Sequence, residues 1–146
     1  CNNVTIIDKP IYSESGLNLW FGVNGFRSGE LGESTSQLRV EKKNNDVALT
    51  TISLSDILDE MGRENLGFIK VDIEGGEEHI IPQLFTEASK IECPIWLSFH
   101  VSWWNDTNVE RYLDYFKMST INTDILINTL KNTPICDILF KFKNHE

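Results

Sequence analysis

Several classes of protein are excluded by what this chain lacks. Cysteine is scarce: Cys1, Cys93 and Cys136 form no CxxC pair and no metal-ligand spacing. An odd count of that kind suits a reducing, cytoplasmic compartment, not a disulfide framework. No apolar run is long enough to cross a bilayer. The opening Cys1-Asn2-Asn3 has neither the basic nor the apolar region of a signal peptide. Without such a signal, the Asn3-Val4-Thr5 and Asn105-Asp106-Thr107 acceptor patterns carry little meaning. Basic residues are outnumbered 13 to 22, the net charge is −9, and no basic run appears before Lys141 and Lys143. That balance repels nucleic-acid phosphates and anionic lipid, so neither is an expected partner. There is no internal repeat and no low-complexity segment. What remains is a chain of 146 residues with 40% hydrophobic content. That is enough for one domain, which can bury roughly 68–70% of its unfolded surface without cross-links.

Taken in order, Val4-Thr5-Ile6-Ile7 reads as a first strand, and Ile11-Tyr12 continues extended after Pro10. Leu17 to Val23 alternates and then meets Asn24-Gly25, a strong turn dipeptide. Phe26 to Gln37 reads as a loop rich in Gly, Ser and Glu. Leu38 to Lys42 reads as a further strand, followed by a polar turn at Lys43-Asn44-Asn45-Asp46. Val47 to Ile52 is β-prone. Ser53 to Gly62 reads as a short helix, with Ser53 or Ser55 as its cap and Gly62 closing its end. Cys93 to Val101 is a strand whose Ile95, Leu97, Phe99 and Val101 share one apolar face. Val109 to Met118 carries a helical stripe, with Asp106 or Thr107 as cap. Ile121 to Leu130 reads as another helix and Ile135 to Phe142 as a last strand. This alternation predicts parallel βαβ units with right-handed crossovers.

The chain is organised around Gly67-Phe68-Ile69-Lys70-Val71-Asp72-Ile73-Glu74-Gly75-Gly76-Glu77-Glu78. Its first half is a short apolar run and its second half is acidic and glycine-rich. Ile80, Ile81, Leu84, Phe85 and Ala88 then follow at helical spacing. The pattern predicts a buried strand, a tight turn and an amphipathic helix from about Glu77 to Ser89. In open α/β sheets ligands bind beyond the carboxyl ends of the strands, where Asp72, Glu74 and Glu77 would gather. Asp72 then has two readings: a general base or metal ligand, or an acid favoured by the N-terminus of the next helix. Glu74 shares both. Glu77 and Glu78 stand in the helix's first turn, where acids are commonplace, and only Glu77 keeps a weak functional reading. Gly75 and Gly76 read as a turn requirement. Lys70, inside an apolar strand, must reach solvent or pair with one of the turn acids. His100, at the end of the next strand, is either a core histidine or a partner of Asp72 in one crevice. Trp103 and Trp104 either stack on a ligand or close the edge of the core. His79 and His145 have no supporting context.

These residues resemble the FkbM-type methyltransferases. The resemblance rests on Thr51-Ile52-Ser53-Leu54-Ser55-Asp56-Ile57-Leu58 and on Phe68-Ile69-Lys70-Val71-Asp72-Ile73-Glu74-Gly75-Gly76-Glu77. Gly76 stands where the family usually has alanine. The segment from Pro94 to His100 is similar to the family's following strand. The resemblance runs from Val4 to Val101 and implies an S-adenosylmethionine-dependent O-methyltransferase. It also implies an α/β fold with a Rossmann-like, mostly parallel sheet. The acceptor it implies is a small molecule or glycan, with the hydroxyl on a sugar, glycan or polyketide. Asp72, Glu74, His100 and Lys70 are the expected catalytic group. A divalent cation on Asp72 and Glu74 is compatible but not required, and no residue is assigned to a metal. The glycine-rich loop that holds the cofactor in such folds has no counterpart before Val4, so the cofactor-binding residues are unknown. Val4 to Ile7 would match the family's third strand, so the chain reads as a single domain, 1–146, incomplete at its N-terminal side. The alternative function is a non-catalytic methyltransferase-like module used in partner binding or structure.

Overall fold

A computed structural model describes residues 3–22, 38–43 and 46–142. The expected Asn24-Gly25 turn and the loop at 26–37 lie outside the described residues. Strands β1 (Ile11–Tyr12), β2 (Asn18–Gly22), β3 (Leu38–Arg39), β4 (Asp46–Thr50) and β5 (Ile52–Ser53) come first. Helix α1 (Leu54–Met61), strand β6 (Ile69–Val71), helix α2 (Glu77–Lys90) and strand β7 (Ile95–His100) follow. Helices α3 (Leu113–Phe116) and α4 (Thr123–Asn132) then lead to β8 (Ile135–Phe140).

The strands form three small sheets, ordered β1-β5, β3-β2-β4 and β6-β7-β8. β1 runs parallel to β5, and β6 runs parallel to β7. The β3-β2-β4 sheet is antiparallel throughout, and β8 lies antiparallel to β7. The fold is therefore mixed α/β, and the expectation of a mostly parallel Rossmann-like sheet is not met. The reason lies in the 101–134 segment. Val101 N–H donates to Pro134 O at 2.8 Å, and His100 pairs with Ile135. The chain thus re-enters the sheet at the edge it left, so β8 runs back along β7 instead of crossing over. Val4 to Ile7 is not a strand either: Val4 and Ile6 are exposed, and no strand among the described residues pairs with them. A β-branched run becomes a strand only against a partner and a packed face.

Local rules account for the helices. Ser53 caps α1, accepting from Asp56 N–H at 3.1 Å, and Gly62 closes it at φ +82 with its N–H on Leu58 O. The 109–116 stretch is a 3-10 turn, Val109–Tyr112, running into α3. Its cap is Asn108 and not Asp106 or Thr107; the Asp106 carboxylate accepts from Asn108 N–H and pairs with Arg111. Asn122 caps α4, which starts two residues later than Ile121 and continues past Leu130.

Helix α2 lays Ile80, Ile81, Leu84, Phe85 and Ala88 on one face of the β6-β7-β8 sheet. Phe85, Phe99, Phe116 and Phe140 meet there, none of them exposed; Phe85 and Phe140 are edge-on at 4.8 Å. Each such side chain contributes about 1.5–3 kcal/mol by leaving water. The other face of the sheet carries the cross-strand neighbours Lys70, Trp96 and Leu139, which stay exposed. Pro82 sits inside α2 and has no N–H to give the Glu78 carbonyl one turn back. The buried Tyr112 hydroxyl donates to that carbonyl at 2.9 Å instead. Among the described residues no helix is long and apolar enough to cross a membrane.

Candidate functional site

The βαβ unit β6-α2-β7 builds the site. Because β6 and β7 are parallel, with Val71 opposite Leu97, both end at the same edge of the sheet. Asp72 leaves β6 there, and His100 is the last residue of β7. Between Asp72 and α2 the chain reverses tightly. Glu74 has φ 53 and Gly75 has φ 94, and Gly76 N–H donates to Ile73 O at 3.1 Å. Glu74 is a non-glycine residue in the left-handed region, a strained placement that persists only where surroundings enforce it. A Cβ on Gly75 would lie 2.8 Å from Trp103 Cβ. Gly75 thus needs to be glycine for both its dihedral angle and its contact. Gly76, at φ −75, has no dihedral need for glycine.

Below the turn lies a buried polar pair. Glu77 is 0% exposed, and its carboxylate gathers Gly75 N–H at 3.2 Å, Trp104 Nε1–H at 3.0 Å and His100 Nδ1 at 2.8 Å. A carboxylate oxygen accepts, so Nδ1 is the donor to Glu77, and in the neutral imidazole that tautomer leaves the lone pair on Nε2. His100 is itself 8% exposed, and Trp103 stacks on its ring at 5.3 Å and 18°. Trp104 closes the core, one of its two expected readings, and anchors Glu77, while Trp103 stacks on the imidazole and fixes its plane.

Nε2 opens toward the turn. It stands 4.0 Å from Asp72 Oδ1 and 3.9 Å from Glu74 Oε2. Those carboxylates are 42% and 41% exposed, so the cluster has a dry floor and a wet mouth. Lys70 Nζ holds the other oxygen of Asp72, Oδ2, at 2.9 Å. Lys70 thus both reaches solvent and pairs with a turn acid. Asp72 does not cap α2, whose N-cap is Gly76 without any side-chain bond.

Beside the cluster lies a cleft of about 730 Å³. Glu74, Gly75 and Trp103 line it together with Tyr12, Leu19 and Phe21. His79 also lines it, packed against the Tyr12 ring at 4.6 Å. Burial depresses the His79 imidazole below its ordinary 6.5, opposed by the nearby Glu78 carboxylate. Glu78 holds the far rim, accepting from Asn105 N–H at 2.8 Å. Shape and lining suit a small organic ligand with polar groups.

The family model described as Methyltransferase FkbM domain matches residues 11–122. The chain belongs to the FkbM methyltransferase family. No curated protein and no solved structure matches it significantly. The matched span of the FkbM domain holds Lys70, Asp72, Glu74, Glu77 and His100, and ends before α4 and β8.

Within the FkbM domain, Asp72, Glu74, Lys70 and His100 are brought together as a group. Glu77 is the residue the sequence reading undervalued. A signal for it exists: Glu77 stands three, four and seven residues before Ile80, Ile81 and Leu84, on the apolar stripe itself. A carboxylate on that stripe must be buried, and a buried carboxylate must be bonded. Tyr12 owes its place in the cleft to β1 pairing with β5, which no local pattern announces, and packs there against His79 from the first turn of α2.

Proposed function

We propose that this FkbM domain transfers a methyl group from S-adenosylmethionine to a hydroxyl of a small-molecule or glycan acceptor of sugar or polyketide type. The observation that carries the reading is the convergence of His100 Nε2, Asp72 Oδ1 and Glu74 Oε2 at the carboxyl end of two parallel strands, beside a cleft. S-adenosylmethionine, when bound, would supply the methyl carbon to the hydroxyl oxygen and leave as S-adenosylhomocysteine. The hydroxyl proton departs into the acidic cluster. Alignment of oxygen, methyl and sulfur supplies most of the acceleration. Lys70 keeps Asp72 turned so that Oδ1 faces the acceptor side. The aromatic and polar lining of the cleft, Tyr12 and Trp103 with Glu78 and Asn105, suits a sugar ring. The excess of acidic residues argues against a polyanionic acceptor.

The test is S-adenosylhomocysteine release by the purified protein over a panel of glycosides and polyketide alcohols. Asp72→Asn keeps the shape but removes a charge and a proton acceptor. It should lower turnover about 10²–10⁴-fold, the usual worth of a positioned acid or base. Unchanged turnover in Asp72→Asn sinks the assignment. Absence of turnover on every acceptor, with no S-adenosylmethionine binding, favours a non-catalytic module.

A further inference from the structure

The geometry points to a divalent-cation site at Asp72, Glu74 and His100, with Glu77 as the carboxylate that orients the histidine. The three ligand atoms, one from each residue, lie within 4.8 Å of one another. With the imidazole neutral, all three are electron-pair donors. Nε2 faces the two carboxylate oxygens at 3.9 and 4.0 Å, which is beyond hydrogen-bond reach. Atoms held about 2.0–2.2 Å from one ion lie roughly 3–4 Å apart, so a small closure of the turn suffices.

A second observation is independent of the acidic pair. His100 is more than nine-tenths buried, and its Nε2 has no hydrogen-bond partner among the described residues while aiming into the cluster. Its other nitrogen is locked by Glu77, itself fully buried. Metal-binding histidines characteristically give their second ring nitrogen to a carboxylate in this way, which fixes the tautomer and the ring plane. The charges also balance. With the imidazole neutral, Asp72, Glu74 and Glu77 are opposed among the described residues by Lys70, which leaves an excess of two negative charges for a divalent ion. Lys70 occupies Oδ2 of Asp72 and leaves Oδ1 as a single ligand atom. Two carboxylates with one imidazole, open to solvent on one side, suit Mn²⁺ or Mg²⁺ better than a soft metal. The proposal concerns the acceptor side of the site read above, where such an ion would hold the hydroxyl oxygen. Cation binding itself does not depend on methyl transfer.

The experiment is Mn²⁺ binding to the purified protein without S-adenosylmethionine or acceptor, followed by electron paramagnetic resonance. One Mn²⁺ should bind per chain, with nitrogen coupling from His100 in its spin-echo spectrum. Asp72→Asn and Glu74→Gln alter exposed side chains and should each weaken binding at least about tenfold. Glu77→Gln should weaken it about 10–100-fold. No binding at millimolar Mn²⁺, no nitrogen coupling, or affinity within twofold of the parent in both exposed variants overturns the site. Mn²⁺ binding without any methyl transfer would sink the proposed function and keep the metal site; methyl transfer without Mn²⁺ binding would do the reverse.

Discussion

Gly75→Ala is the substitution most sharply decided by the structure. Gly75 sits at φ 94, beyond the left-handed well that other residues visit. Forcing a Cβ into left-handed backbone costs about 1–2 kcal/mol. That Cβ would also meet Trp103 Cβ at 2.8 Å and Trp103 O at 3.4 Å. Trp103 cannot swing aside cheaply, because it closes the 3-10 turn Val101–Trp103 and stacks on His100. Overpacking of this kind costs about 1–3 kcal/mol. We expect Gly75→Ala to lose about 2–5 kcal/mol in urea unfolding, and its melting temperature to fall on the order of 5–15 °C. The displaced Trp103 should also shift the His100 ring resonances in NMR. Gly76→Ala is the internal control. Its backbone is already helical, at φ −75 and ψ −6, and its added Cβ would lie 3.3 Å from Ile73. The entropy gained in the unfolded chain, about 0.4–1 kcal/mol, opposes that tight contact. Gly76→Ala should therefore change stability by less than about 1 kcal/mol. If the two variants are equally stable, or Gly76→Ala is the worse, the account of the turn is wrong.

Two further outcomes follow from the packing around α2. Tyr112→Phe removes the donor that satisfies the Glu78 carbonyl orphaned by Pro82, and should cost about 1–3 kcal/mol in urea unfolding. Pro82→Ala restores a backbone N–H, so Tyr112→Phe should cost less in that background; an unchanged cost in the double-mutant cycle would refute the pairing. Burial lowers the His79 imidazole below its ordinary 6.5, so the unfolded chain binds that proton more readily. The stability this contributes is complete above about pH 6.5 and is lost as the pH falls through the depressed value. Urea midpoints from pH 8 to pH 5 should therefore fall less steeply in His79→Gln than in the parent, and identical slopes would show that His79 is not the group responsible.

Much of the site was legible before any coordinates. Ile69-Lys70-Val71 followed by Ile80, Ile81, Leu84 and Phe85 switches from a strand run to a helical stripe, and β6 and α2 form there. The alternation Ile95, Leu97, Phe99 places His100 at the end of β7. A strand, a helix and a strand in that order make a parallel unit, so Asp72 and His100 share an edge. The same reasoning failed for β8, because the pattern of Ile135 to Phe140 is identical whether the strand runs with β7 or against it. It failed for Val4 to Ile7 because β-branched residues state a preference, and a partner strand realises it.

The sequence by itself determined the local elements and the chemistry at their ends: the strand, the glycine turn, a serine cap at the start of α1 and the acids after β6. These depend on residues a few positions apart, whose sterics and periodicity act within one turn or one pleat. Only the tertiary structure decided that Glu77 lies under His100, that Lys70 takes one oxygen of Asp72, that Trp103 stacks on the imidazole, and that Tyr12 packs against His79 at the cleft. Those contacts join separate elements, and their geometry follows from which strands pair and how the core closes, which no short window of residues contains.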